Sequence, residues 1–475
     1  MSFDPNTLLN LLRKQHLLSA QQLREALGVS APTLMRAARA ARGQVLNFGR
    51  ARRSAYALRR PLRGSMAPLP LFAVDRTGRA EHVAQLHLAH PQGTLVELLV
   101  DPAGFSWPME LSGQPESRMR DGWFEGLPYF LQDMRPQGFL GRQFARQHAP
   151  LLQASENPTE WSDDDALYAL SLLGSDHSGN FIIGDAAFHL WQSAVHAETP
   201  IAEGGEAKAY PALAQQAMGL GLGLGLGLGL VLGHQGSLAA GELPKFSALR
   251  LQASLPTRVL VKFSGSDDSP GTRRWADLLA CEHLALESVQ ALPGVRAARS
   301  RLLRAGKRSF LEVERFDRQG LFGRSGLCSW AAINADGFGV AGSWIDGAAA
   351  LARVGLIDAE AKRAIERLTF FGQLIANTDM HDGNLSFEPG GPGLCPAPIY
   401  DMLPMAYRPQ VGVELPEVRF APCMPLPGQR EAWSEAAEAA LQFWQRAAAD
   451  SHVSAGFREI CAHNAEAMEQ ARRRV

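Results

Sequence analysis

The stretch "ANTDMHDGNLSF", residues 376–387, decides how the rest of the chain is read. Asp379 is followed five residues later by Asn384, with His381 between them, and "IYDMLPMAY" further on supplies Asp401. Phosphoryl transfer needs a carboxylate that orients the attacking hydroxyl and accepts its proton. It also needs oxygen ligands for Mg²⁺, commonly a second carboxylate and an amide. An Asp, an Asn five residues on and a later Asp supply that set in the order used by kinases. Asp379, flanked by His381, is then the catalytic base, and Asn384 and Asp401 are the metal ligands. The same residues also make an ordinary polar turn, because Asp, Asn and Gly favour turns. The upstream sequence has to choose between the two.

Upstream, "TRVLVKFSG" (257–265) is an apolar strand with one lysine. Alternation places Lys262 on the same face as Leu260, so a half-buried ammonium needs an anionic partner. "WADLLACEHLALESV" (275–289) reads as a helix with Glu282 at its centre, and a Lys262–Glu282 ion pair would set the lysine against the phosphates of ATP. "SFLEVERFDRQG" (309–320) reads as a strand running into a hinge, with backbone near Glu314 to Phe316 placed to meet adenine.

The chain has 475 residues, 46% hydrophobic and 20% charged, an ordinary globular composition for two to four domains. Five scattered cysteines without a Cys-x-x-Cys pair argue against a disulfide framework and a structural zinc site. No apolar signal segment opens the sequence, so a reduced cytoplasm is expected. The net charge of −1 hides an asymmetry. Residues 1–64 hold twelve Lys/Arg against two acids, a net +10, so the remainder carries −11. A basic head on an acidic body points to a polyanionic partner.

That head reads as a winged helix-turn-helix. Thr7 to Gln15 has a helical apolar pattern, Ser19 with Gln22 forms a capping box, Gly28 suits a tight turn, and Ser30 caps a second helix through Ala41. The second helix offers Thr33, Arg36 and Arg39 to a major groove, and "QVLNFGRARRSAYALRR" reads as two strands around a basic tip carrying Arg50, Arg52 and Arg53. A solvated basic helical bundle is the plainer alternative. Between head and strand, "TLVELLV" and "SGNFIIGD" suit strands and residues 163–172 a helix, with no catalytic constellation.

Together, "SLAAGELPKFSAL", "VLVKFSG", "VERFDR", "NTDMHDGN" and "YDMLP" occur in the order seen in HipA-type serine/threonine kinases, the toxins of bacterial toxin–antitoxin systems. The resemblance covers roughly residues 66–475, and the fused head resembles the YjjJ-type (HipH) branch. It implies an α+β protein: a winged helix-turn-helix (1–64), a HipA-like N-terminal α/β subdomain (65–200), a kinase N-lobe with Gly-rich loop and hinge (201–320) and a helical C-lobe (321–475). It further implies ATP, Mg²⁺ and transfer of phosphate to protein serine. Family members act on a translation component, glutamyl-tRNA synthetase, and on a serine of their own loop. Duplex DNA, an antitoxin and a homodimer reading paired half-sites are the other partners implied. The expected location is cytoplasmic, at the nucleoid when DNA-bound.

The Gly-Leu alternation from Gly219 to Leu230 sits just before the lysine strand but lacks G-x-G-x-x-G spacing and is too short to span a bilayer. It reads as a low-complexity expansion. The following "GSLAAGELPK" resembles the family's phosphate loop. Ser237 matches the self-modified serine, Ala239 and Gly241 lie along the loop, and Lys245 matches its terminal lysine. Ala239 and Ala240 stand where the family often has glycine. Two other readings remain open: a transcription regulator whose kinase-like body only senses nucleotide, and a metal-dependent nuclease built on Asp379, His381 and Asp401.

Overall fold

A computed structural model describes residues 4–41, 43–111, 117–219, 243–391, 393–410 and 415–475. Ser237, Ala239, Gly241 and most of the Gly-Leu stretch lie outside them.

The head begins with α1 (Pro5–Gln15), capped by Asp4, whose carboxylate accepts the Asn6 N–H at 2.9 Å. The helix therefore opens two residues before the Thr7 expected from the apolar pattern. A short β1 (Leu17–Ser19), not foreseen, precedes α2 (Ala20–Leu27). The capping box is present: Ser19 Oγ accepts the Gln22 N–H at 3.1 Å, and Gln22 Oε1 accepts the Ser19 N–H at 2.8 Å. Gly28 ends α2 at φ +63°, a left-handed position natural to glycine. Ser30 stands at the start of α3 (Ala31–Ala40), but its hydroxyl bonds the Thr33 hydroxyl at 3.0 Å and caps no backbone N–H. β2 (Val45–Phe48) and β3 (Ala55–Leu58) complete an antiparallel sheet ordered β1-β3-β2.

Alternation gives this small sheet two different faces. Tyr56 and Leu58 pack with Leu8, Leu12, Leu23 and Leu34 of the helices. Leu46, Phe48, Ala55 and Ala57 pack outward, against Ala89, Leu95 and Trp123 of the next unit. The Phe48 and Trp123 rings stack in parallel, 5.1 Å apart.

That next unit is a five-stranded antiparallel sheet built from β4 (Leu69–Val74), β5 (Ala80–Ala89), β6 (Gly93–Leu98), β7 (Trp123–Phe124) and β8 (Phe181–Ile183), ordered β7-β6-β5-β4-β8. It carries α4 (Tyr129–Gln132), α5 (Gly138–Leu152), α6 (Asp163–Leu173) and α7 (Asp185–Ala197). The head is tied to it by main chain as well: the Arg60 N–H donates to Leu88 O at 2.9 Å and the His90 N–H to Leu58 O at 2.7 Å. Arg53, Arg60 and Arg63 pair with Asp121, Asp164 and Asp165. Part of the charge asymmetry between head and body is thus neutralised within the chain.

Next come α8 (Glu206–Ala217) and a four-stranded antiparallel sheet of β9 (Lys245–Gln252), β10 (Leu255–Phe263), β11 (Ser300–Ala305) and β12 (Arg308–Glu314), ordered β11-β12-β10-β9. α8 covers one face, with Tyr210 on Val259, Val261, Phe263 and Phe310. Helix α9 (Pro270–Ser288) lies under the other, with Leu279 against Leu311 and Val313. The chain then makes a hairpin of β13 (Arg318–Gln319) and β14 (Gly323–Arg324), and a three-stranded sheet of β15 (Cys328–Ser329), β16 (Ser386–Gly390) and β17 (Gly393–Pro396). The rest is helical: α10 (Trp330–Gly337), α11 (Trp344–Arg353), α12 (Ala359–Leu374), α13 (Arg430–Ala449) and α14 (Ala455–Arg472). Among the described residues no helix is long and apolar enough to cross a membrane.

The charges of "VERFDR" are buried. Asp176, from the loop before β8, accepts from Arg315 Nη1 at 2.8 Å and Arg318 Nη2 at 2.9 Å. Asp317 accepts from Arg315 through both oxygens, from Arg318 Nη1 at 2.8 Å and from the Gly179 N–H at 3.0 Å. Burial alone would raise Asp317, but Arg315 and then Arg318 outweigh it and hold the carboxyl at about 2. Its stabilising contribution is therefore full above the ordinary value of 3.8 and is lost as the pH falls from there toward about 2. Asp317→Asn leaves two buried guanidinium groups under-compensated and is expected to destabilise by about 3–5 kcal/mol at pH 7. Urea unfolding across pH 7 to 3 should show the gap between wild type and variant narrowing below pH ~4; a constant gap would mean that Asp317 acts through its shape alone.

Candidate active site

Lys262 lies near the end of β10, on the face that meets α9, and is almost fully buried rather than half-buried. Its ammonium bonds Glu282 Oε1 at 2.5 Å and also Asp401 Oδ1. Glu282 sits at the centre of α9 with no exposed surface, so the solvated helix face that its sequence context allows is not what forms. Burial would strip Lys262 of its proton, but Asp401 and then Glu282 reverse this and hold it firmly protonated. Burial pushes Glu282 up, against the pull of Lys262. Asp401 is held below the usual carboxylate range: its burial is outweighed by Lys262 and Lys245. Lys245, itself buried, lies directly opposite Lys262 in the β9–β10 register. Two lysines and two carboxylates thus share one recess.

The turn after α12 carries the other candidate residues. Ala376 takes a left-handed φ of +60°, which ends the helix and swings the chain back. Gly372 makes room: a Cβ there would come within 2.3 Å of Met380 Sδ. Asn377 then links the two acidic segments. Its Oδ1 accepts the Asp379 N–H at 3.0 Å, and its Nδ2 donates to Asp401 O at 3.4 Å. Asn384 Nδ2 donates to Asp379 O at 2.8 Å, leaving its oxygen as the end available to a cation. His381 is exposed, with Nδ1 accepting the Gly383 N–H at 3.1 Å. Tyr400 pins this turn to the segment that carries Asp401, its hydroxyl donating to Gly383 O at 3.0 Å. Asp379 is partly exposed.

Glu314 and Phe316 line a cleft of about 440 Å³ beside Pro256, Ala298 and Pro398. The Phe316 ring lies 5.9 Å from that of Tyr400, immediately before Asp401. The segment after β12 therefore touches both the cleft and the acidic turn. On the head, Arg36, Arg39, Arg50, Arg52 and Arg53 are exposed and Thr33 is half-buried.

The structure thus brings together Lys262, Glu282, Asp401 and Lys245, and joins Asp379, Asn384 and Asp401 through one hydrogen-bonded turn. Asn377 and Tyr400 are absent from the sequence reading. Asn377 had a local signal, since an Asn two residues before a turn residue commonly bonds its N–H. Tyr400 had none. Among the described residues no group of three or more His, Cys, Asp or Glu side chains is arranged to hold a metal ion. A carboxylate and an oriented amide suit magnesium, which keeps much of its own water.

The class of protein follows from comparison with known chains. The family described as HipA-like C-terminal domain matches residues 237–472, and the one described as YjjJ-like toxin, middle domain matches residues 65–192. A chain of the Shewanella oneidensis MR-1 toxin–antitoxin system HipA, HipB and its operator DNA complex has the same fold. Its TM-score is 0.51 at 16% identity, over 86% of this chain and 97% of that one. Toxin YjjJ of Escherichia coli (strain K12) is 34% identical over 459 residues, 96% of each chain. The chain belongs to the YjjJ-like family of HipA-type toxins.

The recess makes a testable demand. Lys262→Met leaves Glu282 buried without its cation, which costs about 3–5 kcal/mol at neutral pH unless the carboxyl takes up a proton. Glu282 is already raised in the folded protein, so the variant should regain stability as the pH is lowered from 8 to 5. Urea unfolding at both pH values checks this; a penalty that does not ease on acidification would mean Glu282 has found another partner.

Proposed function

We propose that this protein is an ATP- and Mg²⁺-dependent protein serine/threonine kinase of HipA toxin type that binds duplex DNA through its head. The observation that carries the reading is Lys262 held between Glu282 and Asp401. A buried ammonium oriented by one carboxylate and shared with a second, partly exposed one is the arrangement that positions a triphosphate beside a cation. Asn384 and Asp401 would hold magnesium, which would neutralise charge developing on the phosphates. Lys262 and Lys245 bind and orient the phosphates, and Glu282 keeps Lys262 aimed. Asp379 orients the substrate hydroxyl and accepts its proton, while Asn377 and Asn384 hold the Asp379 backbone in place. The cleft beside Glu314 and Phe316 receives the base. Ser237, eight residues before β9 in the sequence, is the self-modification site. The protein substrate belongs to the translation apparatus, as for the synthetase-modifying members of the family.

The head has the helix and strand order of a winged helix, with Thr33, Arg36 and Arg39 on its exposed reading helix and Arg50 and Arg52 at the wing tip. A protein antitoxin and a DNA-reading homodimer are the remaining partners, in the cytoplasm and at the nucleoid. The grouping of Lys262, Glu282 and Asp401 favours an active body over a regulator with a silent one.

The test is incubation of purified protein with γ-labelled ATP and Mg²⁺, followed by mass mapping. Wild type should label Ser237. Asp379→Ala should abolish transfer, at least 100-fold below wild type, while still binding ATP. Asp401→Ala should also weaken Mg²⁺-dependent ATP binding. Wild-type labelling by Asp379→Ala would remove the base assignment, and ATP binding without transfer in wild type would favour the silent regulator.

A further inference from the structure

The wing does not hang free. Its inner face, Leu46, Phe48, Ala55 and Ala57, is covered by Ala89, Leu95 and Trp123, and its tip lies against the turn formed by Met119–Asp121. Arg53 Nη2 is 3.0 Å from Asp121 Oδ1, and a Cβ on Gly49 would lie 3.5 Å from Asp121 Cγ. This turn carries two arginines of its own, Arg118 and Arg120.

Five arginines lie on the two segments that form the seam: Arg50, Arg52 and Arg53 on the wing side, Arg118 and Arg120 on the body side. Among the described residues three acids accompany them, and each already has a partner. Asp121, with its side chain 7% exposed, takes Arg53. Glu110 stands 3.6 Å from Arg120, and Glu125 accepts from the Trp123 indole at 3.0 Å. Arg50, Arg52 and Arg120 are exposed, and among the described residues Arg50, Arg52 and Arg118 have no acidic partner. What the seam offers to solvent is positive charge.

We infer that the DNA-binding surface does not end with the head but continues across the seam, with Arg118 and Arg120 contacting backbone phosphates of the duplex bound by α3 and the wing. This rests on the proposed DNA reading of the head. The docked wing gives it a physical basis. A tethered head would present these arginines at variable distances, whereas one fixed by Phe48 on Trp123 presents them as one footprint. Contacts to phosphate carry no sequence information but add to affinity and to its salt dependence.

The experiment uses the full chain and a mixed-sequence 40-base-pair duplex, titrated by fluorescence anisotropy from low to moderate salt. Arg118→Ala/Arg120→Ala should lower affinity roughly ten-fold and reduce the slope of log K against log salt by about two, one per lost phosphate contact. Arg118→Lys/Arg120→Lys should restore most of the slope, because charge rather than fork geometry is needed. Arg473→Ala/Arg474→Ala, of the same charge change at the far end of the chain, should leave it unchanged. If Arg36→Ala/Arg39→Ala weakens binding while the seam variant matches wild type, the footprint stops at the head and the inference is wrong. If wild type binds no duplex at low salt, the DNA reading itself falls.

Discussion

A lysine ammonium inside a protein is tolerated only where anionic partners replace its water, and Lys262 has two. They come from distant parts of the chain: Glu282 from the helix under the sheet, Asp401 from an irregular segment more than a hundred residues later. Glu282, with no exposed surface, is not stable as an anion in its place without the lysine. The sheet, α9 and the turn before Asp401 are therefore held to one mutual arrangement, and that arrangement is the candidate site. The acidic turn inherits its position from it, because Asn377 ties Asp379 to the backbone of Asp401.

A second buried charge cluster does the corresponding work behind the hinge. Asp176 and Asp317 gather Arg315 and Arg318, and in doing so clamp the segment after β12 to the five-stranded unit. That same unit carries the head on its other edge, through Phe48 on Trp123 and the main-chain bonds at Arg60 and His90. The middle of the chain has no chemistry of its own. It is the frame against which both the cleft beside Glu314 and Phe316 and helix α3 are oriented, so the head is better regarded as a docked face of the body than as a separable module.

What could be read in advance follows from the range of the interactions. The capping box at Ser19, the turn at Gly28 and the alternation around Lys262 are local, and the structure has each of them. Lys262, Glu282 and Asp401 were legible because a buried lysine on a strand, an acid at a helix centre and an ordered acidic turn make sense only together. Partners across long loops were not legible. Nothing near Arg60 or Arg63 signals Asp164 or Asp165, so their charge looked free for a polyanion. Nothing near "VERFDR" signals the burial of its charges either, since Asp176 lies well over a hundred residues before them. The apolar residues of the wing looked like an ordinary strand pattern, and their second burial face appears only with Trp123 present.

The recess also shows how the chemistry can be held ready without substrate. Glu282 gives Lys262 one oxygen, and its other oxygen is buried with no hydrogen-bond partner among the described residues, which contributes to the desolvation that lifts the carboxyl. Asp401 is different: partly exposed, depressed by Lys262 and Lys245, and bound to the same ammonium from the open side. Of the two, Glu282 is the fixed partner, because leaving Lys262 would strand it as a buried unpaired charge. Asp401 can exchange partners at little cost, since solvent or a cation can replace the lysine at its exposed edge. The lysine is thus held from two unequal sides, one fixed by burial and one open to exchange.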